Sequence, residues 1–206
     1  MTRHPKQMGF DALLQDTDVQ NAARVFEKET AHLSNDWTEA LTYHHAQIEQ
    51  HHAAMLANDF DAAMDIRKDA HLLATKLNGG APGILADEDA PGYKLDAEAR
   101  AESGAVPLWG QSGTFDTEAA GLWARVDMSG MFGIGATAMP YVGFSVRATD
   151  HTKPFLSETG YRSFLGCSVP PEPRMTPEGF VKRVIEAYVA NELNGQLRQV
   201  NPRWCD

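Results

Sequence analysis

Cysteine, long apolar runs and basic side chains are all scarce in this chain of 206 residues. The two cysteines, Cys167 and Cys205, lie far apart in sequence, which fits a protein of the reducing cytoplasm. No apolar run approaches the roughly 18 residues that a membrane helix needs, and none follows the polar residues 1–4. We therefore expect neither a membrane span nor a secretion signal.

Basic charge is outnumbered, because 28 acidic side chains face 18 basic ones and give a net charge of −10. Residues 35–118 carry most of the excess, with 15 acidic and 5 basic side chains. A general nucleic-acid-binding protein shows the opposite sign over a broad face, so direct nucleic-acid binding is not expected. An acidic surface serves solubility in most proteins, and the alternative is a face that meets a basic partner protein.

Residues 37–80 have the periodicity of two amphipathic helices joined by a tight turn. At 100° per residue, the first helix gains an apolar stripe of Leu41, Ile48 and Met55. The second gains a stripe of Ala63, Ile66, Ala70, Leu73 and Leu77. Asn58 and Asp59 favour the turn, and the glycines at 79 and 80 favour the end of the second helix. The pattern predicts an antiparallel helical hairpin.

This hairpin holds five of the eight histidines. His44 and His51 fall on one flank of the first stripe and His45 and His52 on the other, while His71 lies about 100° from the second stripe. Glu49 and His52 form an E-x-x-H step, which di-metal bundles use on two helices; here it occurs once, without H-E-x-x-H. The candidate metal ligands are His44, His45, Glu49, His51, His52 and His71. Packing at the stripe edge, a divalent transition-metal site and a pH-responsive surface all remain open.

Outside the hairpin, Thr17 or Asp18 is suited to cap a first helix after loosely packed residues 1–15. A short helix is predicted at 95–102, and strands are predicted at 106–109, 121–127, 141–148 and 161–169. Alternating polar residues leave Arg125 and Arg147 exposed or lining a groove. Thr176 and Pro177 predict the start of a last helix that covers one face of the sheet.

Two segments of the second half have the composition of a binding site. Residues 133–138 match G-x-G-x-x-A, but Pro140 and the following strand exclude the helix that a dinucleotide site requires. Residues 154–164 combine hydroxyls, a glycine and an arginine that fits an anion. The candidate ligand-binding residues are Arg147, Ser157, Thr159, Gly160, Arg162 and Ser163. The alternative is a turn in which the hydroxyls bond to local backbone.

The same region carries a family resemblance. PFLSETGYRSFLG followed by TPEGFVKRVIEAYV resembles the C-terminal part of small uncharacterised accessory proteins of bacterial plasmids and integrative elements. The resemblance covers about residues 155–193. It implies an accessory role in a bacterial cytoplasm and transfers no catalytic residue.

Together these patterns predict an α+β protein. A helical portion (1–80), an acidic Gly/Pro-rich connecting loop (81–105) and an antiparallel sheet with a C-terminal helix (106–206) would form one compact unit. The leading functional hypothesis is a non-enzymatic protein, without a cofactor, that binds a partner protein through an acidic face or a groove near Arg147 and Arg162. A homo-oligomer is compatible with it. The alternative is an enzyme, either metal-dependent through the hairpin histidines or acting on an anionic substrate near Arg162.

Overall fold

The computed structural model describes residues 5–82, 88–133, 143–165 and 171–204, with side chains from residue 17 onward. Within them lie the helices α1 (Pro5–Glu29), α2 (Trp37–Ala57), α3 (Phe60–Leu77), α4 (Pro91–Glu98) and α5 (Pro177–Asn191). The strands are β1 (Gly113–Ala119), β2 (Leu122–Met128), β3 (Phe144–Ala148) and β4 (Tyr161–Phe164). They form one antiparallel sheet in the order β1-β2-β3-β4, so the predicted α+β class is confirmed.

The predicted helical hairpin is formed by α2 and α3. Asp36 caps α2 by accepting a hydrogen bond from the amide of Glu39 at 3.0 Å. Asn58 ends α2 in the left-handed conformation, at φ 59°, and Asp59 then caps α3 through the amide of Ala62. Asn58 and Asp59 therefore form the turn between the two helices, as the sequence predicted.

Several predicted boundaries were wrong. The first helix begins at Pro5 and runs through Thr17, because the residues around Leu13 and Leu14 are good helix formers and outweigh the capping signal. The short helix predicted at 95–102 spans Pro91–Glu98 instead, with proline in its first turn. Residues 106–109 form no strand, whereas β1 at Gly113–Ala119 was not predicted.

The pleat of the sheet separates an apolar inner face from a polar outer face. On β2, burial alternates strictly, so Ala124 and Val126 point inward while Arg125 and Asp127 point outward. The inner face packs against α5, as predicted, and against the end of the hairpin at Met55. A second cluster joins the hairpin to Leu95 of α4 and to the loop after β2.

Two sequence features fall outside the described residues: both cysteines, and residues 134–138 of the glycine motif. In the described part of the chain, no helix combines the length and apolarity that crossing a bilayer requires. The division of the chain at residues 80 and 105 remains a prediction.

Candidate functional site

The most deeply buried histidine of the hairpin is His51, which bridges α2, α3 and the loop before β1. Its Nδ1 lies 3.0 Å from the carbonyl oxygen of Trp109, and its Nε2 accepts a hydrogen bond from Nε of Arg67 at 2.9 Å. Nδ1 must carry the proton, because a carbonyl only accepts and Arg67 only donates. Burial and the charge of Arg67 lower the pKa of His51 to about 3. His51 is therefore a neutral structural link with both nitrogens engaged.

His52 binds the same loop residue through the opposite tautomer. Its Nδ1 accepts a hydrogen bond from the amide of Trp109 at 3.1 Å, so this nitrogen carries no proton. Burial lowers the pKa of His52. The consecutive histidines 51 and 52 of α2 thus form hydrogen bonds with the carbonyl and the amide of Trp109. The indole of Trp109 is fully buried and donates a hydrogen bond to the carbonyl of Met175.

His44 and His71 approach each other across one aromatic ring. Both pack against Phe132, with ring centroids 5.2 and 5.6 Å away. His44 Nδ1 lies 3.3 Å from Oε1 of Gln47, and His71 Nε2 lies 3.0 Å from the carbonyl of Met131. Burial lowers the pKa of His44 to about 4. The hydrogen-bond partners are thus protein atoms, a side chain of α2 for His44 and a loop carbonyl for His71.

The remaining candidate ligands, His45 and Glu49, lie exposed on α2. No three His, Cys, Asp or Glu side chains within the described ranges come together in a way that would hold a metal ion. In the described residues, the histidines instead form hydrogen bonds that join the hairpin to the loop before β1, at Trp109, and to the loop after β2, at Met131.

The hydroxyl-rich segment 154–164 forms a self-contained turn. The hydroxyl of Ser157 donates to the carbonyl of Tyr161 at 2.7 Å and lies 3.0 Å from the hydroxyl of Thr159. Gly160 adopts φ +68° against the ring of His151. These local bonds match the alternative in which the hydroxyls shape a turn.

The two arginines of the candidate anion site point to opposite faces of the sheet. Arg162 pairs in register with the buried Val146 and lies 4.7 Å from the ring centroid of Tyr188, on the side covered by α5. Arg147 points outward, 4.9 Å from the ring of Tyr161. The structure therefore does not bring Arg147 and Arg162 into one groove, although Ser163 shares the outer face with Arg147.

The outer face of the sheet carries large side chains that nothing in the described chain covers. Trp123 is 56% exposed, Tyr161 40% and Leu165 61%. Its polar members on the strands are Thr114, Asp116, Glu118, Arg125, Asp127, Ser145, Arg147 and Ser163. Exposed aromatic residues beside arginine are characteristic of protein interfaces.

Two arginines of this face, Arg125 and Arg147, are neighbours on adjacent strands, and one of them is neutralised by a carboxylate. Arg125 and Arg147 are direct cross-strand partners, a placement that like charges disfavour. Arg125 is held by both oxygens of Asp116, at 2.9 and 3.1 Å, which lowers the pKa of that carboxyl. No carboxylate among the described residues forms an ion pair with Arg147, which stacks on Tyr161 instead.

At one end of the outer face, α4 and the following residues cover a cavity of about 500 Å³. Arg100 closes one side by donating to Asp127 at 3.0 Å and to Thr114 at 2.7 Å. Asp96 of α4 points inward, and burial raises the pKa of its carboxyl despite the nearby Ser112 hydroxyl and Arg100. Ser145 and Ser163, paired across β3 and β4, also line it.

Sequence reasoning missed this cavity apart from Ser163. The spacing of Asp96 and Arg100 put both on one side of the predicted helix 95–102, but α4 ends at Glu98, before Arg100. Nothing in the sequence showed that α4 would lie beside the end of β2, where Asp127 lines the cavity.

Comparison with known proteins gives a partial relationship. No family model matches the chain. Two proteins called KlcB, both from Escherichia coli, are similar: one is 32% identical over 157 residues, covering 73% of this chain and 36% of the relative. The other is 39% identical over 114 residues, covering 54% of this chain and 24% of the relative. No solved structure matches. The chain thus spans about a third or less of these relatives, and the similarity is consistent with an accessory protein of a bacterial plasmid.

Proposed function

We propose that this chain is a non-enzymatic binding protein that holds a partner protein against the outer face of its sheet. The observation that carries the proposal is the exposed Trp123, standing on the same uncovered face as Tyr161. Exposed aromatic side chains of this size supply most of the binding free energy in many interfaces. Their exposure in the isolated chain is a cost that a partner would remove.

Charge supports a protein partner that presents a carboxylate. Asp116 already neutralises Arg125, so Arg147 is the cation that the described strands of this face leave for a partner. A carboxylate bound there would gain a bidentate, charge-assisted hydrogen bond over the Tyr161 ring. The acidic side chains of this face, such as the unpaired Glu118 among the described residues, oppose the many phosphates of a nucleic acid more than a single carboxylate, which favours protein over nucleic acid.

The chain offers a matched control, since a second exposed aromatic–arginine pair belongs to a short 3-10 helix (Pro202–Trp204) and to no strand of the sheet. Arg203 lies 5.3 Å from the ring of Trp204, which is 49% exposed. The test places the photo-crosslinking amino acid p-benzoylphenylalanine at position 123 or 204 of the full chain in living bacteria. We expect one adduct of defined mass from position 123 and none of that mass from position 204.

Charge reversal then tests the role of Arg147. Arg147→Glu should reduce the adduct from position 123 at least about tenfold, because a buried interfacial ion pair is replaced by repulsion. Arg203→Glu should leave the yield unchanged. Equal adducts from both positions, no adduct, or an adduct that contains only a second copy of this chain would each contradict the proposal.

A further inference from the structure

The cavity beside α4 has the size and mixed lining of a small-molecule site. Its volume of about 500 Å³ falls within the roughly 300–1,000 Å³ typical of ligand pockets. Phe132, Tyr161 and Leu165 contribute apolar wall, and serine hydroxyls from β3 and β4 contribute hydrogen-bonding groups. This combination of apolar area with a few convergent polar groups binds and orients small organic ligands.

Three charged side chains line the cavity: Asp96, Arg100 and Asp127. Arg100 and Asp127 neutralise each other at 3.0 Å, and the guanidinium is further fixed by Thr114. The carboxylate of Asp96 is therefore left as the net charge of the lining. A cationic group that entered the cavity would be attracted, and an anionic one repelled.

Asp96 sits where local structure disfavours its charge. It lies in the last turn of α4, where the negative end of the helix dipole opposes an anion. The backbone at Gly130 approaches so closely that a Cβ there would overlap the Asp96 carboxylate. The fold thus makes room for a carboxylate whose burial costs stability, an arrangement common where a side chain serves a ligand.

We propose that this cavity binds a small organic cation, with its ammonium group on the Asp96 carboxylate and its apolar body against Phe132 and Tyr161. Ser145 and Ser163 accept further hydrogen bonds from the ligand at the strand side of the cavity. The site is separate from Trp123 and Arg147, so it goes beyond the proposed protein-binding function. A ligand bound here would leave Trp123 of β2 accessible, whereas Tyr161 of β4 lines the cavity and would be shared with the proposed interface.

The test uses phenethylammonium as the probe on the full chain, followed by two-dimensional amide NMR and calorimetry at pH 7. A ligand of this size is expected to bind in about the millimolar range. The uncharged 2-phenylethanol has nearly the same shape, and 3-phenylpropanoate carries the opposite charge. We expect phenethylammonium to bind at least about tenfold more tightly than either, with the largest shifts at residues around the cavity.

Asp96→Asn removes the charge with little change of shape and should weaken phenethylammonium binding at least about tenfold. Asp61→Asn, an exposed position at the start of α3, makes the same change in net charge outside the cavity and should have no effect. Ser163→Phe provides a second route, because the larger side chain fills the cavity and should abolish binding while leaving Asp96 in place. Equal binding of the three probes, or unchanged binding in both Asp96→Asn and Ser163→Phe, would overturn the proposal.

Discussion

Acid should destabilise this protein through the buried histidines His44 and His51. Their pKa values in the fold, about 4 and about 3, lie below the value of about 6.5 for an unfolded chain. Between those limits the unfolded chain binds protons that the folded chain does not. The stability contributed by the neutral rings is therefore fully present above pH 6.5 and is lost as the pH falls toward the folded pKa values.

Below the unfolded pKa, each of these histidines lowers the free energy of unfolding by about 1.4 kcal/mol for every pH unit. At pH 5, about 1.5 units below the unfolded pKa, each ring accounts for about 2 kcal/mol, and the pair for about 4 kcal/mol. His52 adds to this loss, because its pKa is lowered too. Asp96 opposes it, since a carboxyl with a raised pKa gains relative stability as the pH falls. A loss of about 4 kcal/mol corresponds to a fall in Tm of roughly 8–16 °C.

Urea unfolding, followed by tryptophan fluorescence and circular dichroism at pH 7.5 and pH 5, measures this loss directly. His44→Asn keeps a hydrogen-bond donor for Gln47 but does not titrate. The free energy of unfolding of this variant should therefore fall by only about 2 kcal/mol between pH 7.5 and pH 5. His45→Asn changes a residue on the exposed side of α2, so the free energy of unfolding of this variant should fall by as much as that of the parent protein. A parent loss below about 1 kcal/mol, or the same loss in His44→Asn as in the parent, would refute the reasoning.

Three further predictions concern stability and are checked by urea unfolding at pH 7.5. Gly110 and Gly104 both have φ +86°, but only at Gly110 would a Cβ lie 2.7 Å from the His51 ring, so Gly110→Ala should cost about 2 kcal/mol more than Gly104→Ala. Thr176→Ala should cost about 1 kcal/mol by removing the cap of α5, while Thr176→Ser should cost a few tenths. Met55→Ala should cost about 2–5 kcal/mol, because Met55 is fully buried where the hairpin meets the sheet.

The elements that local chemistry defines were predictable from the sequence. The start of α5 follows from Thr176, whose hydroxyl accepts from the amide of Gly179 at 3.1 Å, and from Pro177 in the first turn. The α2–α3 turn follows from Asn58 and Asp59 in the same way. In each case the residue that forms the bond lies within four positions of its partner, so a short window contains the whole cause.

Elements that depend on distant partners were not predictable. The strand β1 has one large apolar residue, Phe115, among threonines and acids, and it exists because seven residues pair in register with β2. The apolar residues 106–109 look more like a strand, but Pro107 lacks an amide proton and Trp109 gives its backbone groups to His51 and His52. The cavity was missed for the same reason, since it requires α4 to lie beside the end of β2.

The histidine pairs show where periodicity stops being informative. A spacing of seven places His44 with His51 and His45 with His52 on two equivalent flanks of α2, and both flanks look like boundaries of one apolar stripe. The structure buries the first pair, leaves His45 exposed and half-buries His52. The difference arises because α3 and the loops carrying Trp109 and Phe132 close over one flank. The two loop residues lie about sixty or more positions along the chain from the histidines they contact. The two large pKa shifts, of His44 and His51, consequently lie on one flank, and they arise from tertiary packing that the sequence of the helix does not show.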